Sequence, residues 1–165
     1  MLKLSKRADY GLIALRHLAV HARDGSVSAK EIGGRYRIPV PLMSKVLQTL
    51  SREGLLKSEH GTRGGYRLAH DPGRISALDV IRAIDGPVIL TSCFTEDGDC
   101  DLSERCTVRE PLRRVHKGIL NLLDNITITD LVDDDESQRE TSWSKPEGRL
   151  YNFADQLLST GQGAP

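Results

Sequence analysis

Three short helical segments followed by two strand-like segments around a glycine-rich tip constrain the fold of this chain more than any other feature. Apolar residues recur at spacings of three and four between positions 5 and 22, which predicts a first helix with one buried face. Ser28 and Glu31 have the spacing of a capping box, so a second helix should start there and end at the two glycines that follow. Pro41 suits the first position of a third helix, which Gly54 can terminate.

The third helix and the hairpin after it together indicate a DNA-binding surface. Helices followed by a hairpin in this order are typical of a winged helix-turn-helix, in which the third helix enters the major groove and the hairpin lies on adjacent backbone or in the minor groove. One face of the third helix is free of acidic residues and can hydrogen-bond phosphates and base edges. The predicted DNA-binding residues are Pro41, Ser44, Lys45, Gln48, Thr49, Arg52, Arg63 and Arg67.

Two simpler interpretations of the same residues stay open. The polar face of the third helix can be an ordinary solvated surface. The glycine-rich tip could instead cradle a nucleotide phosphate, but the chain has no Gly-x-x-x-x-Gly-Lys run and no parallel-sheet context.

The formal net charge of zero conceals two halves of opposite sign. Residues 1–90 hold 15 Lys and Arg against 8 Asp and Glu, whereas residues 91–165 hold 8 against 15. The N-terminal half is therefore where an anionic polymer such as double-stranded DNA would bind.

A second region, beyond the winged helix-turn-helix, indicates a homodimer. A fourth helix is expected to start at Ser76 and to end at Gly86. Further on, apolar residues recur in steps of four and three, as in a helix that packs along a partner. These predicted dimerisation residues are Val108, Leu112, Val115, Ile119, Leu122 and Ile126. The alternative is that this stripe packs on its own domain. From Asp133 the chain is acidic and poor in apolar residues, and we expect it to be mobile.

All three cysteines, Cys93, Cys100 and Cys106, fall in one polar stretch between these two regions. An odd number of clustered thiols is more typical of soft metal ligands than of a disulfide framework. Their spacing is longer than the Cys-x-x-Cys of most structural zinc sites and suits an iron–sulfur cluster. A zinc site and a thiol switch between two of the cysteines remain alternatives. Cys106 lies at the entrance of the dimer helix, which begins with a capping box at Thr107 or with Pro111 at its first position.

These patterns predict a mainly helical protein with a small β-hairpin, organised in four parts. Residues 1–86 form a winged helix-turn-helix domain, 87–110 a cluster-binding loop, 111–131 a dimerisation helix and 132–165 an acidic tail. No apolar run approaches the roughly 18 residues of a membrane span, and the N-terminus lacks the apolar core of a signal peptide. We expect a cytoplasmic protein with reduced thiols and no membrane partner.

Residues 1–131 resemble the family of small bacterial winged-helix regulators that includes the IscR- and NsrR-type iron–sulfur sensors. The matching segments are Leu-Ser-Lys-Arg-Ala-Asp-Tyr-Gly-Leu at 4–12, Ile-Pro-Val-Pro-Leu-Met-Ser-Lys-Val-Leu at 38–47 and Gly-Thr-Arg-Gly-Gly-Tyr-Arg-Leu-Ala at 61–69. The run Gly-Asp-Cys-Asp-Leu-Ser-Glu-Arg-Cys at 98–106 looks like the branch that regulates SUF-type cluster-assembly operons. The resemblance implies that Cys93, Cys100 and Cys106 ligate one cluster per subunit, either [2Fe-2S] or [4Fe-4S].

The fourth ligand of such a cluster is open. IscR-type proteins use a histidine three residues after the last cysteine, where this chain has Arg109. In NsrR-type proteins a carboxylate near the start of the first helix of the other subunit can serve, and Asp9 matches that position, although a carboxylate there can also simply stabilise the helix terminus. Glu110 and His116 are further candidates.

We therefore predict a homodimeric DNA-binding transcriptional regulator, most simply a repressor of iron–sulfur cluster assembly genes bound at a pseudo-palindromic operator. Its signal would be cluster, iron, redox or nitric oxide status. The alternatives are a zinc-stabilised or thiol-switch regulator without a cluster and, more remotely, a small redox enzyme or electron carrier. We expect no enzymatic activity.

Overall fold

The computed structural model describes residues 4–22, 25–61, 64–91, 94 and 105–138, with side chains in the last helix up to residue 133. Cys93, Cys100, Arg63 and the tail beyond residue 138 lie outside these residues. The elements are α1 (Lys6–Val20), α2 (Ala29–Tyr36), α3 (Val40–Arg52), β1 (Leu56–Glu59), β2 (Gly65–Leu68), a 3-10 turn (Pro72–Arg74), α4 (Ala77–Asp85), α5 (Arg109–Asn125) and α6 (Ile128–Gln138). The predicted fold class, mainly helical with one small antiparallel hairpin, is confirmed.

Local signals set where the second helix begins but not where it ends. The Ser28 side chain accepts a hydrogen bond from the Glu31 N–H at 3.2 Å, as the capping pattern predicted. The prediction that α2 ends at its two glycines was wrong, because the helix continues to Tyr36. Gly33 is needed for packing instead, since a Cβ there would lie 2.8 Å from the Ile38 carbonyl oxygen. The turn is made by Arg37, whose φ of 56° is left-handed.

The third helix and the hairpin follow the predicted order. α3 begins at Val40, so Pro41 occupies the second helical position rather than the first. Gly54, with φ of +79°, follows the helix and allows the chain to turn into β1. β1 pairs antiparallel with β2, with Leu56 opposite Leu68. The hairpin thereby packs beside α3 as the wing of a winged helix-turn-helix.

The hydrophobic core of the winged domain lies between α1, α3 and α4, and it includes one residue from the far end of the chain. α1 packs against α3, α4 and α6, and the hairpin covers one edge. Ile128, the first residue of α6, is fully buried in this core. The other fully buried large side chains are Leu15, Ile32, Met43, Leu47, Leu50, Ile75, Val46 and Val80.

The predicted single dimerisation helix over residues 111–131 is instead two helices. α5 begins at Arg109 with Val108 as its N-cap and without a side-chain cap, so neither start predicted from the sequence is correct. α5 ends at Asn125, and Thr127 starts α6 through its N–H and hydroxyl, which both donate to the Asp130 carboxylate at 2.7 Å. These hydrogen bonds lower the pKa of Asp130.

The expectation of a mobile acidic tail from residue 132 was wrong over its first residues. α6 extends to Gln138 and packs against α1, where the Arg16 Nε–H donates to the Leu131 carbonyl oxygen at 2.8 Å. The acidic composition concealed the helix because one buried residue, Ile128, anchors it. Residues 139–165 lie outside the described part of the chain.

The chain between α5 and α6 is clamped to the start of α4 by main-chain hydrogen bonds. The Ala77 N–H donates to the Ile126 carbonyl oxygen at 2.7 Å, and the Ile128 N–H donates to the Ile75 carbonyl oxygen at 3.0 Å. The Ser76 hydroxyl adds a hydrogen bond to the Asp124 carboxylate at 3.2 Å. The C-terminal end of α5 is therefore fixed to the winged domain. We name this connection the α4–α5 clamp.

Removing one methylene from the anchor of the clamp should measurably destabilise the protein. We expect Ile128→Val to lower the free energy of unfolding by about 1 kcal/mol, because the lost group leaves a void in a fully packed core. Ile89→Val is the matched control, since Ile89 is 39% exposed and should change stability little. Chemical denaturation of the two variants measures both values. An equal response at the two positions would contradict the assignment of Ile128 to the core.

A buried histidine joins α1 to α2. The Nδ1 atom of His17 lies 3.2 Å from the Tyr36 hydroxyl, and its ring centroid is 4.3 Å from that of His21. Its Nε2 atom is buried and has no hydrogen-bond partner in the described part of the chain. Burial lowers the pKa of His17 from its ordinary value of 6.5, and the nearby His21 lowers it further.

This histidine predicts a loss of stability in mild acid. Because the folded pKa lies below the unfolded pKa, the unfolded chain binds more protons as the pH falls below 6.5. The free energy of unfolding should therefore decrease from neutral pH towards about pH 5. His17→Gln should have a flatter dependence than the wild type, measured by denaturation at each pH. Parallel curves for the two proteins would show that His17 does not carry the effect.

Candidate nucleic-acid interface and cysteine loop

The polar face of α3 is a continuous exposed surface. Pro41, Lys45, Gln48 and Arg52 are exposed and follow one another at helical spacings of four, three and four. Ser44 and Thr49 flank them as half-buried residues on either side. The opposite face of α3 is buried, and α3 itself contains no acidic residue. The structure thus brings six of the eight predicted DNA-binding residues to one surface.

Arg67 does not join that surface. Side chains alternate across a strand, and Arg67 is paired in register with Lys57, on the opposite pleat from the buried Leu56 and the half-buried Leu68. On this outer face its Nε atom lies 2.8 Å from the Glu59 carboxylate. Arg67 is therefore an ion-pair partner on the outside of the hairpin. Arg63, the eighth predicted residue, lies outside the described residues.

An open cleft of about 440 Å³ separates the C-terminal half of α3 from the hairpin. Its described lining residues are Gln48, Ser51, Arg52, Ser58 and Tyr66. The sequence analysis missed Ser51, Ser58 and Tyr66. Strand alternation could have found the last two, because Ser58 pairs with Tyr66 and shares the pleat of the buried Leu56.

Of the three cysteines, the structure describes Cys106, a half-buried free thiol three residues before α5. The other end of the cysteine loop also reaches this helix. Phe94, which directly follows Cys93 in the sequence, stacks on His116 of α5 with ring centroids 5.2 Å apart. Phe94 and Cys106 therefore both lie near the N-terminal half of α5.

The environment of Arg109 is consistent with an anionic group near Cys106. Its Nε atom is buried and has no hydrogen-bond partner among the residues that the structure describes, which is costly for a guanidinium unless a negative charge lies nearby. Thiolates bound to an iron–sulfur cluster carry such a charge, so the donor set of the loop fits a cluster. Among the described residues no three His, Cys, Asp or Glu side chains form a metal-binding group. Cys93 and Cys100 are not among them.

The candidates for a fourth ligand lie on two helices. Asp9 is exposed in the first turn of α1. Glu110 is exposed at the start of α5 and lies 3.6 Å from the Arg113 guanidinium. His116 is half-buried against Phe94. The described residues do not bring any of these side chains together with Cys106 in one cluster.

The apolar stripe along α5 is left uncovered in the single chain. No residue of α5, which the structure describes throughout, is buried. Val115 and Leu122 are 46% and 61% exposed, and Val108 before the helix is exposed as well. Leu112 and Ile119 are half-buried, as is Ile126, which lies beyond the end of the helix.

The sequence profile of a protein family described as Rrf2, iron-dependent transcriptional regulator, matches residues 4–134. The chain belongs to the Rrf2 family. Members of this family are transcriptional regulators that bind DNA, and the relatives of this chain are named as regulators rather than enzymes. In the described part of this Rrf2 protein no helix has both the length and the hydrophobicity needed to cross a membrane.

Named relatives and solved structures agree with the Rrf2 assignment. The HTH-type transcriptional regulator IscR of Aliivibrio salmonicida is 30% identical over 151 residues, which cover 92% of this chain and 89% of that protein. The structure of CymR, the global cysteine regulator of B. subtilis, is 30% identical with a TM-score of 0.67 and covers 81% of this chain and 98% of that one. T. potens IscR is 31% identical with a TM-score of 0.64, covering 86% and 93%.

Proposed function

We propose that this Rrf2 protein is a homodimeric repressor whose iron–sulfur cluster, held by Cys93, Cys100 and Cys106, sets its affinity for operator DNA. The observation that carries the proposal is the half-buried Cys106 thiol three residues before Arg109, whose buried Nε atom has no hydrogen-bond partner among the described residues. The genes it regulates would be those of iron–sulfur cluster assembly, and its signal cluster, iron, redox or nitric oxide status. This follows the resemblance of the 98–106 run to the SUF-type branch.

The protein's part in such a site is to supply thiolate ligands and a compensating charge. The cluster, when bound, supplies a group that is sensitive to iron, oxidants and nitric oxide. Cys106 would ligate it from the residues that precede α5, and Arg109 would offer its guanidinium charge to the anionic assembly. Asp9 of the other subunit remains the proposed fourth ligand, because it is exposed in the first turn of α1.

The α4–α5 clamp would transmit a change at the loop to the DNA-binding surface. The loop meets the N-terminal half of α5, while the C-terminal end of α5 is hydrogen-bonded to the start of α4. α4 in turn packs against α3. In a dimer built on α5, moving the loop would change the separation of the two recognition helices, which must fit half-sites about 34 Å apart. A coupling of about 1–3 kcal/mol gives roughly 5–150-fold regulation.

A thiol switch is the second candidate, because the chain is as similar to a global cysteine regulator as it is to IscR. In that case Cys106 would respond to oxidants or thiols without a metal. A structural zinc site would be a third outcome for the same cysteines.

Metal content together with operator affinity tests these candidates. The protein is purified anaerobically, and iron, sulfide and zinc are measured per subunit with the visible absorption spectrum. Brown protein with stoichiometric iron and sulfide, and with different operator affinities when loaded and when stripped, would support the proposal. Colourless protein that holds zinc would indicate a structural site. Equal affinity of loaded and stripped protein for every operator fragment tried would contradict cluster control.

Lys45, one of the two exposed cations of α3, should contribute directly to DNA affinity. Lys45→Ala is expected to weaken binding and to reduce the slope of log affinity against log salt by about one, because one phosphate contact is lost. Arg74→Ala is the control, since Arg74 is exposed on the 3-10 turn, which packs against α6. Fluorescence anisotropy at several salt concentrations measures both variants. If the two variants behave alike, α3 is not the docking face.

A further inference from the structure

The described side chains that line the cleft between α3 and the hairpin are hydrogen-bond donors, and none of them is a carboxylate. Every described side chain that lines it can donate a hydrogen bond: the Gln48 amide, the Arg52 guanidinium and the hydroxyls of Ser51, Ser58 and Tyr66. A phosphate group presents only acceptor oxygens and a negative charge, so it matches this set. An ordinary solvated surface would be expected to mix donors with carboxylates.

The acidic residue that follows Ser58 in the hairpin is directed away from the cleft. Glu59 follows Ser58 on β1 and therefore lies on the opposite pleat. Arg67 holds its carboxylate there at 2.8 Å. The ion pair thus gives Arg67 a role different from the DNA contact predicted from the sequence. It neutralises the carboxylate that follows Ser58 in β1, whereas Glu53, which follows Arg52, lines a separate pocket with Asp79 and Arg82.

The backbone of the hairpin positions the two residues that carry hydroxyls on its side of the cleft. Tyr66 is bonded through its N–H to the Val27 carbonyl oxygen at 2.9 Å, and the Val27 N–H donates to the Tyr66 carbonyl oxygen at 3.0 Å. Ser58 lies directly opposite Tyr66 in the register of the hairpin. These hydrogen bonds hold the backbone of Tyr66 in place before DNA arrives, and the strand pairing keeps Ser58 opposite it, which reduces the ordering cost of binding.

The position of the cleft determines which part of DNA could enter it. If α3 lies in the major groove and the hairpin over the adjacent minor groove, one DNA strand must pass between them, because the sugar-phosphate backbone separates the two grooves. We infer that Ser51, Ser58 and Tyr66, together with Arg52, bind a backbone phosphate of that strand. The inference rests on the proposed docking of α3 in the major groove. It adds a phosphate site that fixes the register of α3 on the duplex.

Chemical removal of single phosphate charges tests this site. The probe is a duplex of about 30 base pairs, enough for two half-sites one turn apart, selected from random-sequence DNA by the full-length protein. A neutral methylphosphonate then replaces each phosphate in turn. The protein is compared as the wild type, as Ser51→Ala with Ser58→Ala, and as Tyr66→Phe. Both serines are half-buried or exposed, so their replacement should leave the fold intact, which the melting temperature checks.

The expected result is a difference in methylphosphonate sensitivity between the wild type and the double serine variant that is confined to one phosphate per half-site. The double serine variant should bind the unmodified duplex roughly 10- to 100-fold more weakly, because two hydrogen bonds to a charged group are lost. At that one phosphate, methylphosphonate should weaken the wild type strongly and the variant little. Wild-type affinity in the variant would overturn the inference, as would a variant that remains as sensitive as the wild type at every phosphate.

The outcome also separates this inference from the proposed function. Failure of the protein to select any duplex would contradict the docking of α3 itself. Selection of a duplex whose binding does not depend on Ser51, Ser58 or Tyr66 would contradict only the phosphate site.

Discussion

Replacing Cys106 with alanine should abolish cluster binding, leaving iron and sulfide near zero after anaerobic purification. A cluster cannot be held stably when one of its few thiolates is removed, and Cys106 is the thiol whose position beside α5 the structure describes. Operator affinity of the variant should equal that of stripped wild-type protein, a change of roughly 5–150-fold. Iron and sulfide analysis, the absorption spectrum and fluorescence anisotropy measure these quantities.

Thr107→Ala is the matched control for this variant. Thr107 is the next residue, is exposed and does not cap α5, so its replacement should leave the metal content and DNA affinity unchanged. Stoichiometric iron and sulfide in Cys106→Ala would show that this thiol is not a ligand. Loss of the cluster with no change in operator affinity would separate cluster binding from regulation.

Placing a charge on the apolar stripe of α5 should dissociate the dimer. Leu122 is 61% exposed in the single chain, so Leu122→Glu costs the folded monomer little. Within a dimer that buries this stripe the carboxylate would lose its hydration, which is strongly unfavourable. Because two linked DNA-binding surfaces gain from effective concentration, losing one should weaken operator binding by roughly 100- to 10,000-fold. Sedimentation velocity and DNA titration measure the two effects.

Asn121→Glu is the control with the same change of charge. Asn121 is the adjacent exposed residue of α5, but its position on the helical wheel is away from the stripe. It should remain dimeric and bind DNA as the wild type does. A monomeric wild-type protein, or a dimeric Leu122→Glu variant, would contradict the role proposed for the stripe.

The elements that the sequence located correctly are those determined by interactions within a few residues. The caps at Ser28 and Ser76 are examples, since each serine bonds an N–H three residues later whatever the rest of the chain does. The acid-free face of α3 is another, because helical periodicity alone separates Lys45 and Gln48 from the buried Val46 and Leu47. The winged fold followed from the order of these local elements.

The sequence was misleading where contacts with a distant part of the chain determine the local structure. The heptad spacing runs through Ile126 without interruption, yet α5 ends at Asn125 because the Ile126 carbonyl oxygen bonds Ala77, almost fifty residues earlier in the chain. Main-chain hydrogen bonds of this kind cannot be recognised from the types of the residues that make them, since every peptide group offers the same donor and acceptor. The start of α6 was missed although it has a local signal, because Thr127 and Asp130 have the spacing of a capping box and bond each other in the structure.

The cleft between α3 and the hairpin shows that the sequence is equally limited in predicting the functional site. Arg67 was assigned to DNA because of its charge, whereas the pleat of the hairpin places it with Glu59 on the outer face and turns Ser58 and Tyr66 towards α3. The sequence by itself determined the local helices, the acid-free recognition surface and the clustering of cysteines next to α5. Only the tertiary structure decided which side chains share a surface and where α5 is fixed, because both depend on packing between segments that are far apart in the chain.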